Sequence, residues 1–171
     1  MSLDLTLRPP TPTDGMAVHH LIAACPPLDT NSAYCNLVQC THFASTSVVA
    51  EAAGEVVGFI SGHRVPARPD TLFVWQVAVS EKGRGQGLAG RMLAAILDRP
   101  ENEDICFIET TVTADNAASW ALFESFARKR NTELVRSVLF DRDRHFSGSH
   151  DSELLARIGP FRQQALRAVA H

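Results

Sequence analysis

A chain of 171 residues can bury a substantial core and is expected to form one domain over residues 1–171. Hydrophobic residues at 45% and charged residues at 20% are ordinary globular values, so disorder is not the expectation. A net charge of −3 with no basic block argues against a nucleic-acid partner, and no apolar run reaches the roughly 20 residues that span a bilayer.

Residues 1–8 alternate, with Leu3, Leu5 and Leu7 on one face, and read as a strand rather than a signal peptide. Pro9 and Pro10 end it. Thr13 or Asp14 can cap a helix through about residue 24, with Ala17, Leu21 and Ala24 on one face, until Pro26 and Pro27 stop it. A second helical stretch covers residues 32–41. Residues 46–52 and 55–64 are strand-like around Gly54, as in a hairpin. Residues 72–79 form a nearly continuous apolar strand, which predicts burial on both faces. Beyond a glycine-rich turn, Leu88, Met92, Leu93, Ile96 and Leu97 define one helical stripe that Arg99-Pro100 ends. Residues 104–113 (strand), 116–128 (helix) and 133–140 (strand) follow. Residues 153–158 suit a helix by propensity or a strand by position, and residues 160–171 read as a C-terminal tail. The order predicts a mixed α/β plan with one central sheet.

Cys25, Cys35, Cys40 and Cys106 show neither Cys-x-x-Cys pairing nor zinc spacing, so reduced thiols and a cytoplasmic location are expected. The histidines are scattered; His19 and His20 look like surface, and nothing supports a metal site.

The most informative segment is residues 84–90, Arg-Gly-Gln-Gly-Leu-Ala-Gly, set between an apolar strand and a helix. A helix N-terminus presents backbone N–H groups with partial positive charge, which bind phosphate oxygens without a basic side chain. Gly85 and Gly87 lack the Cβ that would hold a pyrophosphate off the backbone. Gly85, Gly87 and Gly90 have the spacing of a dinucleotide loop, but they lie in mid-chain after several strands, and a Walker lysine is absent. The segment resembles motif A of the GNAT acyltransferase superfamily, Gln/Arg-x-x-Gly-x-Gly/Ala, here Arg84, Gly87 and Ala89. The element order resembles that fold over nearly the whole chain, including a strand at residues 153–158.

The resemblance implies a mostly antiparallel, twisted mixed sheet flanked by helices. It also implies acetyl-coenzyme A as cosubstrate, held by Arg84, Gly85, Gln86, Gly87, Leu88 and Ala89. The backbones of Val77 and Val79 would pair with the pantetheine amides, and Asn116 matches the family's pantetheine-side asparagine. The sequence departs from the family where Phe123 replaces the tyrosine that many members use to protonate the departing thiolate. The general acid then lies elsewhere, or the thiolate leaves without one.

Residues 29–36, Asp-Thr-Asn-Ser-Ala-Tyr-Cys-Asn, are unusually polar and include the chain's only tyrosine. Asp29, Asn31 or Ser32 can cap the helix that follows, but capping leaves Tyr34 unexplained. A polar pocket for a small zwitterion explains it. The Asp-x-Asn-Ser-x-Tyr-x-Asn run resembles that of the L-2,4-diaminobutyrate acetyltransferases of ectoine biosynthesis. So do the run Phe73 to Val79, the run Thr113 to Asn116, and His150-x-x-Glu153 with Arg157-Ile158. The likeness extends from about Leu7 to Ile158 and implies a small diamino acid as acceptor and a homodimer. Leu139, Phe140, Phe146, Leu154 and Leu155 would supply the dimer surface unless they fill the chain's own core.

The reaction needs a neutral amine, and removing the proton from a lysine-like ammonium of pKa ~10.4 at pH 7 costs roughly 4–5 kcal/mol. Desolvation and a nearby carboxylate lower that cost. Asp29 and Glu153 are the candidate carboxylates. Asn31, Ser32 and His150 are candidate donors to the substrate's carboxylate, although His150 and Glu153 also read as a solvated turn. Trp75 is a pocket wall or core packing. A backbone N–H near Val77 is the candidate donor to the thioester oxygen. Tyr34, as the only phenol, is the candidate general acid. Cys35 has no histidine nearby in sequence, so direct transfer is expected rather than a covalent intermediate. Competing readings are acetylation of a peptide or another small amine, and a coenzyme A-binding regulator without turnover.

Overall fold

The computed structural model describes residues 4–161. Leu3 and residues 162–171, most of the predicted tail, lie outside them. The strands are β1 (Leu5–Arg8), β2 (Val48–Ala52), β3 (Glu55–Val65), β4 (Arg68–Val79), β5 (Phe107–Thr113), β6 (Leu134–Phe140) and β7 (Glu153–Ile158). Their order in the sheet is β1-β2-β3-β4-β5-β7-β6. The α-helices are α1 (Gly15–Ala23), α2 (Ala33–His42), α3 (Leu88–Leu97), α4 (Ala117–Lys129) and α5 (Arg142–Phe146). The described residues fold as two compact units, one of residues 4–63 with Val74–Glu103, the other of Arg64–Phe73 with residues 104–161. Strand β4 contributes its first half to the second unit and its second half to the first.

In the first unit β1 pairs antiparallel with β2, and β2 with β3. Ala53 and Gly54 join the latter pair with φ of 50° and 79°, the two left-handed residues of a tight hairpin turn. Val18, Leu21 and Ile22 of α1 pack with Cys40 of α2 and with Val49, Phe59 and Ala78 of the sheet. The predicted α1 face was partly wrong. Ala17 and Ala24 are exposed, because the helix buries the bulkier Val18 and Ile22 instead. Asp14 precedes α1 without capping it; its carboxylate accepts from the Arg8 guanidinium at 2.8 and 2.9 Å and from the Thr11 N–H at 2.7 Å. His19 is not simple surface either. Its Nδ1 lies 3.0 Å from Oδ1 of the fully buried Asn36, which donates in turn to Gln39. Helix α3 buries Leu88, Met92, Leu93 and Ile96, and it lies so close to β3 that a Cβ on Gly58 would stand 3.0 Å from the Met92 sulfur.

Strand β4 starts four residues earlier than the apolar signal, because Arg68, Pro69, Asp70 and Thr71 carry no hydrophobic pattern. It is not buried on both faces. Leu72, Val74 and Ala78 are at most 1% exposed, whereas Val77 and Val79 are only half-buried and Trp75 is 46% exposed. Alternation at period two gives the strand one well-covered side.

In the second unit β4 pairs parallel with β5 over Thr71, Leu72 and Phe73, and β7 pairs antiparallel with both β5 and β6. Residues 153–158 are thus a strand. Helix α4 buries Trp120, Phe123, Phe126 and Ala127. The short α5 had a legible signal that was missed, since Asp141 caps it by accepting from the N–H groups of Asp143 and Arg144. Strand β6 is exposed along nearly its whole length, with Val135, Val138, Leu139 and Phe140 between 38% and 58% exposed.

Glu109, 3% exposed on β5, receives Arg68 from β4 and Arg157 from β7, and Arg157 also stacks 3.8 Å from the Phe107 ring centroid. Hydrogen bonding from Arg68, with a smaller contribution from Arg157, holds the Glu109 carboxyl below the usual carboxylate range, against the opposing effect of burial. A depressed folded-state value means that this stabilisation is complete above the unfolded-state value of about 4.3 and disappears as pH falls below it. Glu109→Gln is therefore expected to lower stability at pH 7 by about 1–2 kcal/mol, limited by solvent screening of the part-exposed guanidiniums. It should also flatten the acid limb of a thermal-melt series between pH 7 and 3. An unchanged acid limb would show that other carboxylates control it.

Candidate active site

The glycine-rich turn and the end of β4 lie in the first unit. Gly87 is the N-cap of α3 at φ 63°, ψ 25°, and Gly85 has φ 77°, a region that side-chain-bearing residues rarely adopt. A Cβ added at Gly85, Gly87 or Gly90 would meet nothing within 4 Å, so the space beside this turn is open. Leu88, Ala89 and Gly90 form the first turn of α3, where helix geometry leaves backbone N–H groups without intrahelical partners. Arg84 is exposed, and the Gln86 amide folds back onto the Lys82 carbonyl at 3.3 Å. An open, glycine-lined turn ending in free helix N–H groups fits a pyrophosphate. Val77 and Val79 stand directly upstream on β4.

The acceptor segment of this unit precedes α2. Ser32 is the N-cap, its Oγ accepting from the Cys35 N–H at 3.1 Å. Asp29 is exposed, and Tyr34, on the first turn of α2, is 75% exposed. Asn31 Nδ2 donates to Gln76 Oε1 at 2.9 Å, and Gln76 Nε2 donates to the Asp29 carbonyl at 2.6 Å. One side chain of β4, next to Trp75 and one residue before Val77, therefore holds the segment at two points. The last residue of the polar run, Asn36, does not join it; it is buried between α1 and α2.

The second unit brings His150 and Glu153 together. His150 Nε2 is 3.9 Å from Glu153 Oε1, its Nδ1 lies 2.6 Å from the Asp151 carbonyl, and its ring leans on Phe146 with centroids 4.6 Å apart. A cavity of about 330 Å³ borders this corner, lined by Ala114, Asp115, Arg142, Asp151, Ser152 and Leu154. Asn116 is exposed and caps α4, its Oδ1 accepting from the Ser119 N–H at 3.1 Å. Phe123 is 2% exposed, on the face that α4 buries.

A larger cleft of about 680 Å³ in the first unit, lined by α1, the β2–β3 hairpin and residues Ser80 to Lys82, contains none of the predicted site residues. Among the described residues no cluster of three or more His, Cys, Asp or Glu side chains could hold a metal, and no helix is long and apolar enough to cross a membrane. The four cysteines are free thiols, and burial pushes the Cys40 thiol up to about 11, out of thiolate range at neutral pH.

Residues 16–127 match the acetyltransferase (GNAT) family model. The chain belongs to the GNAT acetyltransferase family. Within that family it is 59% identical to an L-2,4-diaminobutyric acid acetyltransferase of Methylotuvimicrobium alcaliphilum over 158 residues, 92% of each chain. A protein of the same name from Halomonas elongata is 47% identical over 92% of this chain and 82% of its own length. A solved structure of diaminobutyrate acetyltransferase EctA from Paenibacillus lautus, in complex with its substrate L-2,4-diaminobutyric acid and coenzyme A, superposes with a TM-score of 0.88. It is 38% identical, and the match covers 94% of this chain and 97% of that one.

Of the first-unit residues expected at the site of this GNAT acetyltransferase, the turn at 84–89 and the segment at 29–34 each adopt a defined local geometry. Gln76 was absent from the sequence-derived set. Its position inside the run from Phe73 to Val79 was visible, but nothing in a linear sequence says that a strand glutamine faces a loop more than forty residues upstream.

Proposed function

We propose that this GNAT acetyltransferase moves acetyl from acetyl-coenzyme A to the 4-amino group of L-2,4-diaminobutyrate. The product is N4-acetyl-L-2,4-diaminobutyrate, an intermediate of ectoine biosynthesis, in a cytoplasmic response to osmotic stress. One observation carries the reading: the likeness to the Paenibacillus lautus enzyme with its substrate and coenzyme A extends over nearly all of both chains.

Each residue then has a role that follows from its chemistry. The first-turn N–H groups of Leu88 and Ala89, the glycine turn and Arg84 hold the pyrophosphate. The backbones of Val77 and Val79 hold the pantetheine, with Asn116 beside it, and an N–H near Val77 stabilises charge on the thioester oxygen. Asp29 and Glu153 bind the ammonium groups and take the proton that the attacking amine must lose. Asn31, Ser32 and His150 donate to the substrate carboxylate, and Trp75 walls the pocket. As the N–C bond forms and the C–S bond breaks, Tyr34 supplies a proton to the thiolate. Loss of a charge-assisted hydrogen bond is worth ~1.5–3 kcal/mol, so Asp29→Asn and Glu153→Gln should each raise the KM for diaminobutyrate roughly ten- to a hundredfold. The KM for acetyl-coenzyme A should stay near its original value. Equal effects on both would remove these carboxylates from the acceptor site.

The apolar edge formed by Val135, Val138, Leu139 and Phe140 of β6, exposed and unpaired among the described residues, favours a homodimer, because such an edge invites a second chain. Leu154, Leu155 and Phe146 are half-buried and contribute less. Sedimentation at micromolar concentration should give a dimer, and Val138→Lys should shift it towards monomer. A monomeric parent protein would remove this assignment.

A further inference from the structure

We infer that Gln76 is a positioning residue that sets the acceptor segment through both ends of its side-chain amide. The inference rests on the proposed acceptor site and adds a residue to it. Gln76 is 8% exposed, and its backbone N–H donates to Ser61 Oγ at 3.2 Å, so its main chain is fixed independently of its side chain. The orientation of the amide follows from its partners. The Asp29 carbonyl can only accept, so Nε2 must face it at 2.6 Å, which leaves Oε1 to accept from Asn31 Nδ2 at 2.9 Å. These two bonds bracket Thr30 and clamp a segment in which Asp29, Thr30 and Ser32 are all exposed. Nearby packing comes from Leu28, against the core of α1 and α2. Downstream, the segment feeds the Ser32 cap of α2 and hence the first turn that carries Tyr34. Gln76 thus converts the rigidity of β4 into the position of Asp29, Asn31 and Tyr34, the three side chains to which binding and proton transfer were assigned. A misplacement of about 1 Å in such groups is enough to cost activity.

Two substitutions separate this role from simple packing. Gln76→Glu keeps the size and the acceptor for Asn31 but sets a carboxylate oxygen against the Asp29 carbonyl. Gln76→Leu keeps the bulk and loses both bonds. Each should raise the KM for diaminobutyrate about tenfold or more, the loss expected for one to two hydrogen bonds, with the KM for acetyl-coenzyme A within about twofold of the parent. Hydrogen exchange should accelerate in peptides spanning residues 28–36 and stay unchanged in peptides from β2 and α3. If both KM values move together, if neither moves, or if both variants fail to fold, Gln76 is a residue of the fold and the inference is overturned. If the parent protein does not acetylate diaminobutyrate, the functional reading has failed instead. The exchange experiment then decides the positioning role alone, and unchanged exchange over 28–36 overturns it.

Discussion

Gly87→Trp is expected to weaken coenzyme A binding severely while leaving the protein folded. Gly87 sits at φ 63° with open space where a Cβ would point, so an indole there projects into the volume assigned to the pyrophosphate rather than into the core. The left-handed backbone costs a residue with a Cβ roughly 1–2 kcal/mol, a fraction of a typical folding free energy of 5–15 kcal/mol. The thermal midpoint should fall by only a few degrees, on the scale of about 4–8 °C per kcal/mol for small domains and less for larger ones. Blocking the phosphate cradle should weaken binding by about a hundredfold or more, since several charge-assisted hydrogen bonds are lost together. Isothermal titration calorimetry with coenzyme A reads this directly. Unaltered affinity in a folded Gly87→Trp protein would place the cofactor elsewhere.

Tyr34→Phe is expected to lower kcat by about 10² or more, within the range of general acid–base contributions, with little change in either KM. The position makes this a clean test. Tyr34 is 75% exposed on the first turn of α2, so removing its hydroxyl disturbs no core packing and the melting temperature should not move. Phe123, buried in α4, has no proton to give, which leaves the phenol of α2 as the group to examine. Pre-steady-state measurement of thiol release would locate the defect in the chemical step. A Tyr34→Phe enzyme with unchanged kcat would show that the phenol only binds, and the thiolate would then take its proton from water or from the newly acetylated amine.

Periodic features of the fold were legible because they depend on local physics. The stripe on α3, the hairpin around Gly54 and a cap for α2 among Asp29, Asn31 and Ser32 each follow from spacing or from a residue's own backbone preference. Errors arose where packing decided the outcome. Bulkier Val18 and Ile22 displaced Ala17 and Ala24 from the buried face of α1, and Phe73, Trp75, Val77 and Val79 of β4 proved to be incompletely covered. The polar start of β4 carries no apolar signal, so its first four residues were invisible. At the candidate site the glycine turn was readable because left-handed backbone favours glycine. Gln76 was not, since a hydrogen bond between residues 76 and 29 leaves no trace in the pattern around either. The buried Glu109 between two arginines escaped for the same reason, as its partners come from strands far apart in the chain.

The proposed acceptor of this acetyltransferase is a small diamino acid. Thiol release from acetyl-coenzyme A, followed across L-2,4-diaminobutyrate, other diamino acids, polyamines and N-terminal peptides, tests it most directly, with the product from diaminobutyrate analysed by NMR. The highest kcat/KM is expected for L-2,4-diaminobutyrate, with a product acetylated on the 4-amino group. Preferential turnover of a peptide or polyamine, acetylation of the 2-amino group, or coenzyme A binding without turnover of any acceptor would contradict it.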